Sequence, residues 1–61
     1  MKRYLVTYVK PSGTGQSTLV ETSSKELAEE WFNKRLRGET LIAITETKEN
    51  PKPSQSLIVL G

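Results

Sequence analysis

The chain contains no cysteine, no histidine and no aspartate among its 61 residues. Without cysteine it has no disulfide bond and no thiolate metal site, and without histidine it lacks the other common ligand of soft metals. Histidine is also the side chain that most often exchanges protons at neutral pH. Because the chain has neither disulfide bonds nor these metal ligands, its stability must come from packing alone, which in a domain of this size supplies ~3–5 kcal/mol at most.

Long apolar runs are also missing, so the sequence predicts no membrane span. The basic start, residues 1–9, does not fit a signal peptide, because Thr7 interrupts a short apolar stretch and no small-residue cleavage motif follows. The lack of cysteine fits a reducing compartment. We therefore expect a cytoplasmic protein.

The side chains that could do chemistry have simpler explanations. The acidic residues are scattered glutamates, and a domain this small hardly offers the groove that paired catalytic carboxylates need. Ser23, Ser24 and Lys25 could form a Ser–Lys nucleophile pair, but helix capping accounts for them without a pocket. Gly13 and Gly15 join two strands, whereas the glycines of a phosphate loop precede a helix. We predict no enzymatic activity, no catalytic residue, no cofactor, no metal site and no small-molecule substrate.

The middle of the chain contains the signals of one amphipathic helix. Ser23 is the predicted N-cap, and Glu26 three residues later completes a capping box. Gly38 stands where a left-handed residue commonly follows a helix. At 100° per residue one wide face is apolar and carries Leu27, Ala28, Trp31, Phe32 and Leu36. We expect the helix to pack by its Trp31 and Phe32 side.

Four segments combine β-branched and aromatic residues in the manner of strands: residues 3–10, 16–22, 39–47 and 56–60. The turn at residues 11–15 makes the first two segments a β-hairpin. Residues 49–55 are polar, contain two prolines and predict a loop. A helix between the second and third segments should return the chain, so that the third runs parallel to the second and antiparallel to the first.

We therefore predict one domain, residues 1–61, with an α+β two-layer sandwich of ββαββ order and a mainly antiparallel sheet. Placing the third strand beside the first gives the strand order 2-1-3, with the fourth strand hairpinned onto the third. The helix covers one face of this sheet. The other face is expected to have no covering element within the chain.

The first half of the chain resembles a known group of small proteins. It opens with Tyr4-Leu5-Val6-Thr7 and has Ser12-Gly13 in a turn. Val20-Glu21 then leads into the first part of the predicted helix, residues 23–30. This pattern is similar to small uncharacterised proteins of staphylococcal and related phages, which open with a YLVT-like strand and an S-x-E-E-A helix start. Here Leu27 stands in place of the second acidic residue. The resemblance implies a phage or prophage accessory protein and brings no active site.

The candidate contact residues are basic, in a chain of formal net charge +2. They lie near the start and at the helix end: Lys2, Arg3, Lys34, Arg35 and Arg37. By helical angle Arg35 falls on the apolar side near Trp31. Its stem packing on the sheet explains this position without a ligand, and contact with a partner or a phosphate is the functional alternative.

We expect a non-enzymatic protein-binding or regulatory module, with a small basic nucleic-acid-binding protein as the alternative. Strands one and three are apolar on both sides, and one helix covers only one side. This pattern predicts a protein partner or a homodimer, formed through the uncovered sheet face, strand edges or residues 57–60. Salt dependence separates the two alternatives, because phosphate contacts weaken steeply with salt.

Overall fold

The computed structural model describes residues 1–53 and 55–60 and contains four strands and one helix. In chain order they are β1 (Lys2–Val9), β2 (Gly15–Thr22), α1 (Lys25–Arg35), β3 (Thr40–Thr47) and β4 (Leu57–Val59). The helix packs on a four-stranded sheet, so the predicted α+β class and the ββαββ order are confirmed. The predicted domain and loop also include Gly61 and Ser54, which lie outside the described residues.

Strands β1 and β2 form the predicted antiparallel hairpin, in which Leu5 lies opposite Leu19. The connecting turn is closed by two backbone bonds, from Lys10 N to Thr14 O at 2.9 Å and from Gly13 N to Lys10 O at 2.8 Å. Gly13 has a φ of 92°. This left-handed conformation carries no steric penalty for glycine, so the geometry of the turn accounts for a glycine at this position.

The helix begins one residue later than the sequence predicts. Ser24 has an extended backbone, and its Oγ accepts a bond of 3.4 Å from the backbone N–H of Leu27. An N-cap side chain reaches the third helical residue, which is Leu27 once Ser24 is the cap. The predicted capping box between Ser23 and Glu26 is therefore wrong, although Glu26 lies in the first turn, where the helix dipole favours an acid.

The predicted glycine ending is also wrong. The helix stops at Arg35, and the backbone N–H of Leu36 donates to Phe32 O at 2.8 Å. Leu36 leaves helical geometry, with φ −121° and ψ 62°, while its side chain packs against the core. Gly38 lies beyond this end and does not adopt a positive φ. Its Cα faces the β1–β2 turn instead, since a Cβ added there would lie 3.5 Å from Pro11 Cγ.

The helix contacts the sheet through Ala28 and Phe32, which are buried. The Phe32 ring lies 5.6 Å from the Tyr8 ring between centroids, in a tilted arrangement. Trp31 is half-buried at the edge of this core, and Leu27 is 42% exposed. The expectation that the helix packs through Phe32 is correct, but Ala28 rather than Trp31 accompanies it at the centre. A small residue there lets the helix approach the sheet closely.

The strand order is β3-β1-β2-β4. Strand β3 is antiparallel to β1, as predicted. The predicted hairpin between β3 and β4 is wrong, because β4 pairs in parallel with β2 at the opposite edge. Leu57 lies opposite Leu19 in this ladder, and Ile58 lies opposite Val20.

Crossover handedness explains how the chain reaches that edge. Strands β2, β3 and β4 all run in one direction. The helix carries the chain across the sheet from β2 to β3, and the β3–β4 connection carries it back. Such crossovers are nearly always right-handed, so two that travel in opposite directions must use opposite faces. The helix therefore takes one face, and the connection crosses the other.

Candidate functional site

The sheet face opposite the helix is partly covered by the chain itself. We call residues 48–53 and 55 the crossing segment. Leu19 alternates with the helix-facing Val20, yet it is only 2% exposed and lies outside the helix-side core cluster. A cavity of about 390 Å³ lies between strand residues that include Leu5 and Leu19 and crossing-segment residues that include Lys52 and Gln55. The prediction that this face has no covering element is therefore wrong.

Arg3 holds the crossing segment on the sheet. Its Nη1 donates to Asn50 Oδ1 at 2.9 Å and to the Glu49 carbonyl at 3.4 Å. Its Nε donates to Glu21 Oε1 at 3.1 Å on the neighbouring strand. One guanidinium thus bridges β1, β2 and the crossing segment, and its position is explained by a structural role.

The outer edge of β3 is the longest strand edge that the described residues leave unpaired. In residues 1–53 and 55–60, β3 pairs with β1 alone, and it is eight residues long against three for β4 at the other edge. Its sequence, TLIAITET, contains one charged residue, Glu46. We call this surface the β3 edge. Long apolar edges with few charges readily accept another strand, because their outward N–H and C=O groups lack partners.

A β-bulge leaves Ile42 on this edge. Thr7 lies opposite Ala43 and Tyr8 lies opposite Leu41, so Ile42 is an extra residue without a partner on β1. Ile42 is 59% exposed, whereas Ile44 and Leu41 pack against the core. Strict alternation along β3 predicts the same exposure for Ile42 and Ile44. The bulge depends on pairing with β1 and has no signal within β3 itself.

Lys2 and Arg3, two of the five predicted contact residues, lie at the start of β1 beside carboxylates. Lys2 Nζ is 3.9 Å from Glu46 Oε1, and Arg3 forms the pair with Glu21 described above. Both charges are partly neutralised within the chain. They are less available to a partner than the sequence suggests.

Lys34 and Arg35 line a groove of about 380 Å³ beside the helix, which we call the helix groove. Its other lining residues are Leu27, Glu30, Trp31 and Leu60. Lys34 Nζ donates to Glu30 Oε1 at 2.7 Å, and this bond and its charge lower the pKa of the Glu30 carboxyl. Arg35 and Trp31 share the helix groove, so both interpretations of Arg35 stay open. Arg37 is exposed in the turn that follows the helix.

The five basic residues do not share one surface. Lys2 pairs with Thr22 at the end of the sheet from which the helix departs, and Val9 pairs with Thr40 at the end to which it returns. Strand β1, eight residues long, separates these ends by about 23 Å. Lys2 and Arg3 therefore lie far from the C-terminal end of the helix.

Comparisons of the chain with protein-family models, with curated proteins and with solved structures find no match. Among the described residues, no group of three or more acidic side chains is arranged to hold a metal ion. The one helix in the described residues is not both long enough and apolar enough to cross a bilayer.

Proposed function

We propose that the chain is a non-enzymatic protein-binding module that contacts its partner through the β3 edge. The observation that carries this proposal is an eight-residue outer strand with one charge and an exposed Ile42. A partner strand that adds to such an edge gains main-chain hydrogen bonds, and side chains such as Ile42 supply selectivity.

The other surfaces expected to bind a partner are occupied within the chain. The crossing segment covers Leu19 on the face opposite the helix. Residues Leu57–Val59 pair with β2, and Leu60 N donates to Glu21 O at 2.8 Å. This occupancy supports the β3 edge over both alternatives.

Nucleic-acid binding has less support. The basic residues fall into separate groups, and Lys2, Arg3 and Lys34 each lie within 4 Å of a carboxylate: 3.9, 3.1 and 2.7 Å. Phosphate binding depends on several uncompensated cations along one surface. We therefore keep the protein-binding role as the proposal.

A phage or prophage accessory role in the bacterial cytoplasm forms part of the proposal. Its support is the resemblance of the first strand and helix start to small phage proteins, together with the absence of cysteine. A partner would then be a protein of the host cell or of the phage.

The proposal is tested by capture from bacterial lysate on the immobilised protein, with and without nuclease. Ile42→Lys places a charge on the β3 edge, which blocks strand addition. Val59→Lys is the matched control, since Val59 is 57% exposed on the opposite edge strand, against 59% for Ile42. We expect a captured protein that survives nuclease, persists with Val59→Lys and is lost with Ile42→Lys.

Capture that Ile42→Lys leaves unchanged would contradict the β3 edge as the contact. Capture that nuclease abolishes would favour the nucleic-acid alternative. Both variants change exposed residues, so their free energies of unfolding should stay within about 0.5 kcal/mol of the parent value.

A further inference from the structure

We infer that the partner strand which the β3 edge accepts is β3 of a second copy, giving a two-fold symmetric dimer. This inference rests on the proposed role of the β3 edge as the contact surface. It adds what occupies the edge before another protein is met, namely a second copy that a captured protein would displace. This occupant is argued from the sequence of β3, its charges and the strand order.

The centre of β3 reads the same in both directions. Ile42, Ala43 and Ile44 are symmetric about Ala43. Antiparallel pairing of two β3 strands about that residue places Ile42 of each copy opposite the partner's Ile44. Directly opposed aliphatic side chains stabilise strand pairs by roughly 0.2–1 kcal/mol each. The bulge leaves Ile42 exposed and therefore available for this contact.

The charges at the β3 edge also fit a second copy. In the same register Glu46 lies opposite the partner's Thr40, and Glu39 lies opposite the partner's Thr47, so acid does not face acid. The Glu46 carboxylate is 3.9 Å from Lys2 Nζ of its own chain. Each copy thus brings its own cation to the strand end, and like charges do not oppose the pairing.

The strand order makes such a dimer self-limiting. Joining two sheets at β3 gives eight strands in the order β4-β2-β1-β3-β3-β1-β2-β4. The two β3 edges are then paired with each other. At each outer side the described residues leave β4, three residues long, and residues 15–18 of β2, which β4 does not reach. Isologous pairing of this kind closes at two subunits, and edges this short resist further addition.

Sedimentation equilibrium from tens of micromolar to one millimolar tests the inference on the full chain. We expect the parent protein and Val59→Lys to form a dimer, and Ile42→Lys to sediment as a monomer with at least a tenfold weaker association. Heteronuclear NMR spectra of Ile42→Lys should keep the dispersion of a folded sheet. In a mixed-label dimer, isotope-filtered NOEs should join Ile42 methyl groups to the partner's Ile44.

A parent protein that is still monomeric at one millimolar would overturn the inference. So would a dimer that tolerates Ile42→Lys, because the contact would then lie elsewhere. A monomer that still captures a protein from lysate, and loses it with Ile42→Lys, would leave the proposed function standing while the second copy is rejected. If both dimerisation and lysate capture persist in Ile42→Lys, the inferred dimer contact and the proposed role of the β3 edge are both rejected.

Discussion

Thr22 is a fully buried polar residue. It is 0% exposed, and its Oγ1 has no hydrogen-bond partner among the described residues. A buried hydroxyl without a partner costs roughly 1–3 kcal/mol. Thr22→Val keeps the shape and removes the hydroxyl, so we predict that it raises the free energy of unfolding by about 1 kcal/mol in urea titrations.

Thr18 supplies the control for this prediction. Its Oγ1 lies 3.2 Å from Tyr8 Oη, so Thr18→Val removes a hydrogen bond and should stabilise the protein less than Thr22→Val does. A Thr22→Val protein that unfolds at lower urea than the parent would show that the hydroxyl is satisfied in solution.

Phe32 and Trp31 are adjacent aromatic residues that differ in burial. Phe32 is 4% exposed and contacts Tyr8, whereas Trp31 is only partly buried. Truncating a fully buried aromatic side chain to alanine lowers the free energy of unfolding by about 3–5 kcal/mol. We predict that Phe32→Ala loses most or all of the folded state, while Trp31→Ala loses about half as much free energy of unfolding. Thermal unfolding by circular dichroism measures both, and equal losses would contradict the observed orientation of the helix.

The sequence predicts residue positions well where local chemistry decides them. Phe32 and the apolar side of β1 are read from periodicity, because burial follows the helical and strand repeats. The choice between Ser23 and Ser24 as N-cap, and the rotation that exposes Leu27, depend on how the helix sits on the sheet. Such tertiary choices leave no local signal.

At the scale of elements, the crossing segment depends on one side chain. Arg3 joins it to β1 and β2 through bonds of 2.9 to 3.4 Å. Partly exposed charged bonds of this kind stabilise by about 1 kcal/mol together. We predict that Arg3→Met loosens the segment, so that Leu19 becomes accessible and a hydrophobic dye binds.

Limited proteolysis across residues 48–53 measures the same loosening as a faster rate of cleavage. Lys2→Met is the control, because Lys2 is exposed and pairs weakly with Glu46 at 3.9 Å. Dye binding equal in the two variants would indicate that Arg3 does not hold the segment.

All five elements are predictable from the sequence within one or two residues at most ends, because their patterns are local. The place of β4 is not. A short apolar run such as residues 57–59 fits beside β3 or beside β2 equally well. Handedness fixes only the face: a return crossover to β2 must pass over the face that the helix leaves free, and Leu57 then pairs beside Leu19.

For the whole molecule, the charge distribution predicts weak nucleic-acid binding. The net charge is +2, and Lys2, Arg3 and Lys34 are compensated by nearby carboxylates. We predict no shift of random duplex or single strands at micromolar protein in low-salt mobility assays. Micromolar binding that collapses in moderate salt, and is lost when Arg35 and Arg37 are replaced, would favour the alternative function.

The candidate contact surface is only partly predictable at this scale. Apolar residues on both sides of β1 and β3 predict that a protein partner or a second copy covers the face opposite the helix. The crossing segment covers part of this face at Leu19, which the polar composition of residues 48–53 does not indicate. Which edge stays unpaired follows from the strand order, and the exposure of Ile42 follows from a bulge.

The position of β4 has a consequence for how the native state opens. Three ladder pairs hold β4, and closing the chain from Thr47 to Leu57 costs conformational entropy that these pairs must offset. We expect β4 to detach more often than β1, with its amide protons exchanging with deuterium sooner. Each detachment frees the outer side of β2 at residues 19–21, so that among the described residues the eight residues of β2 form one continuous unpaired edge. The folded protein thus carries a concealed second edge, and the lifetime of the β4 ladder sets its resistance to aggregation.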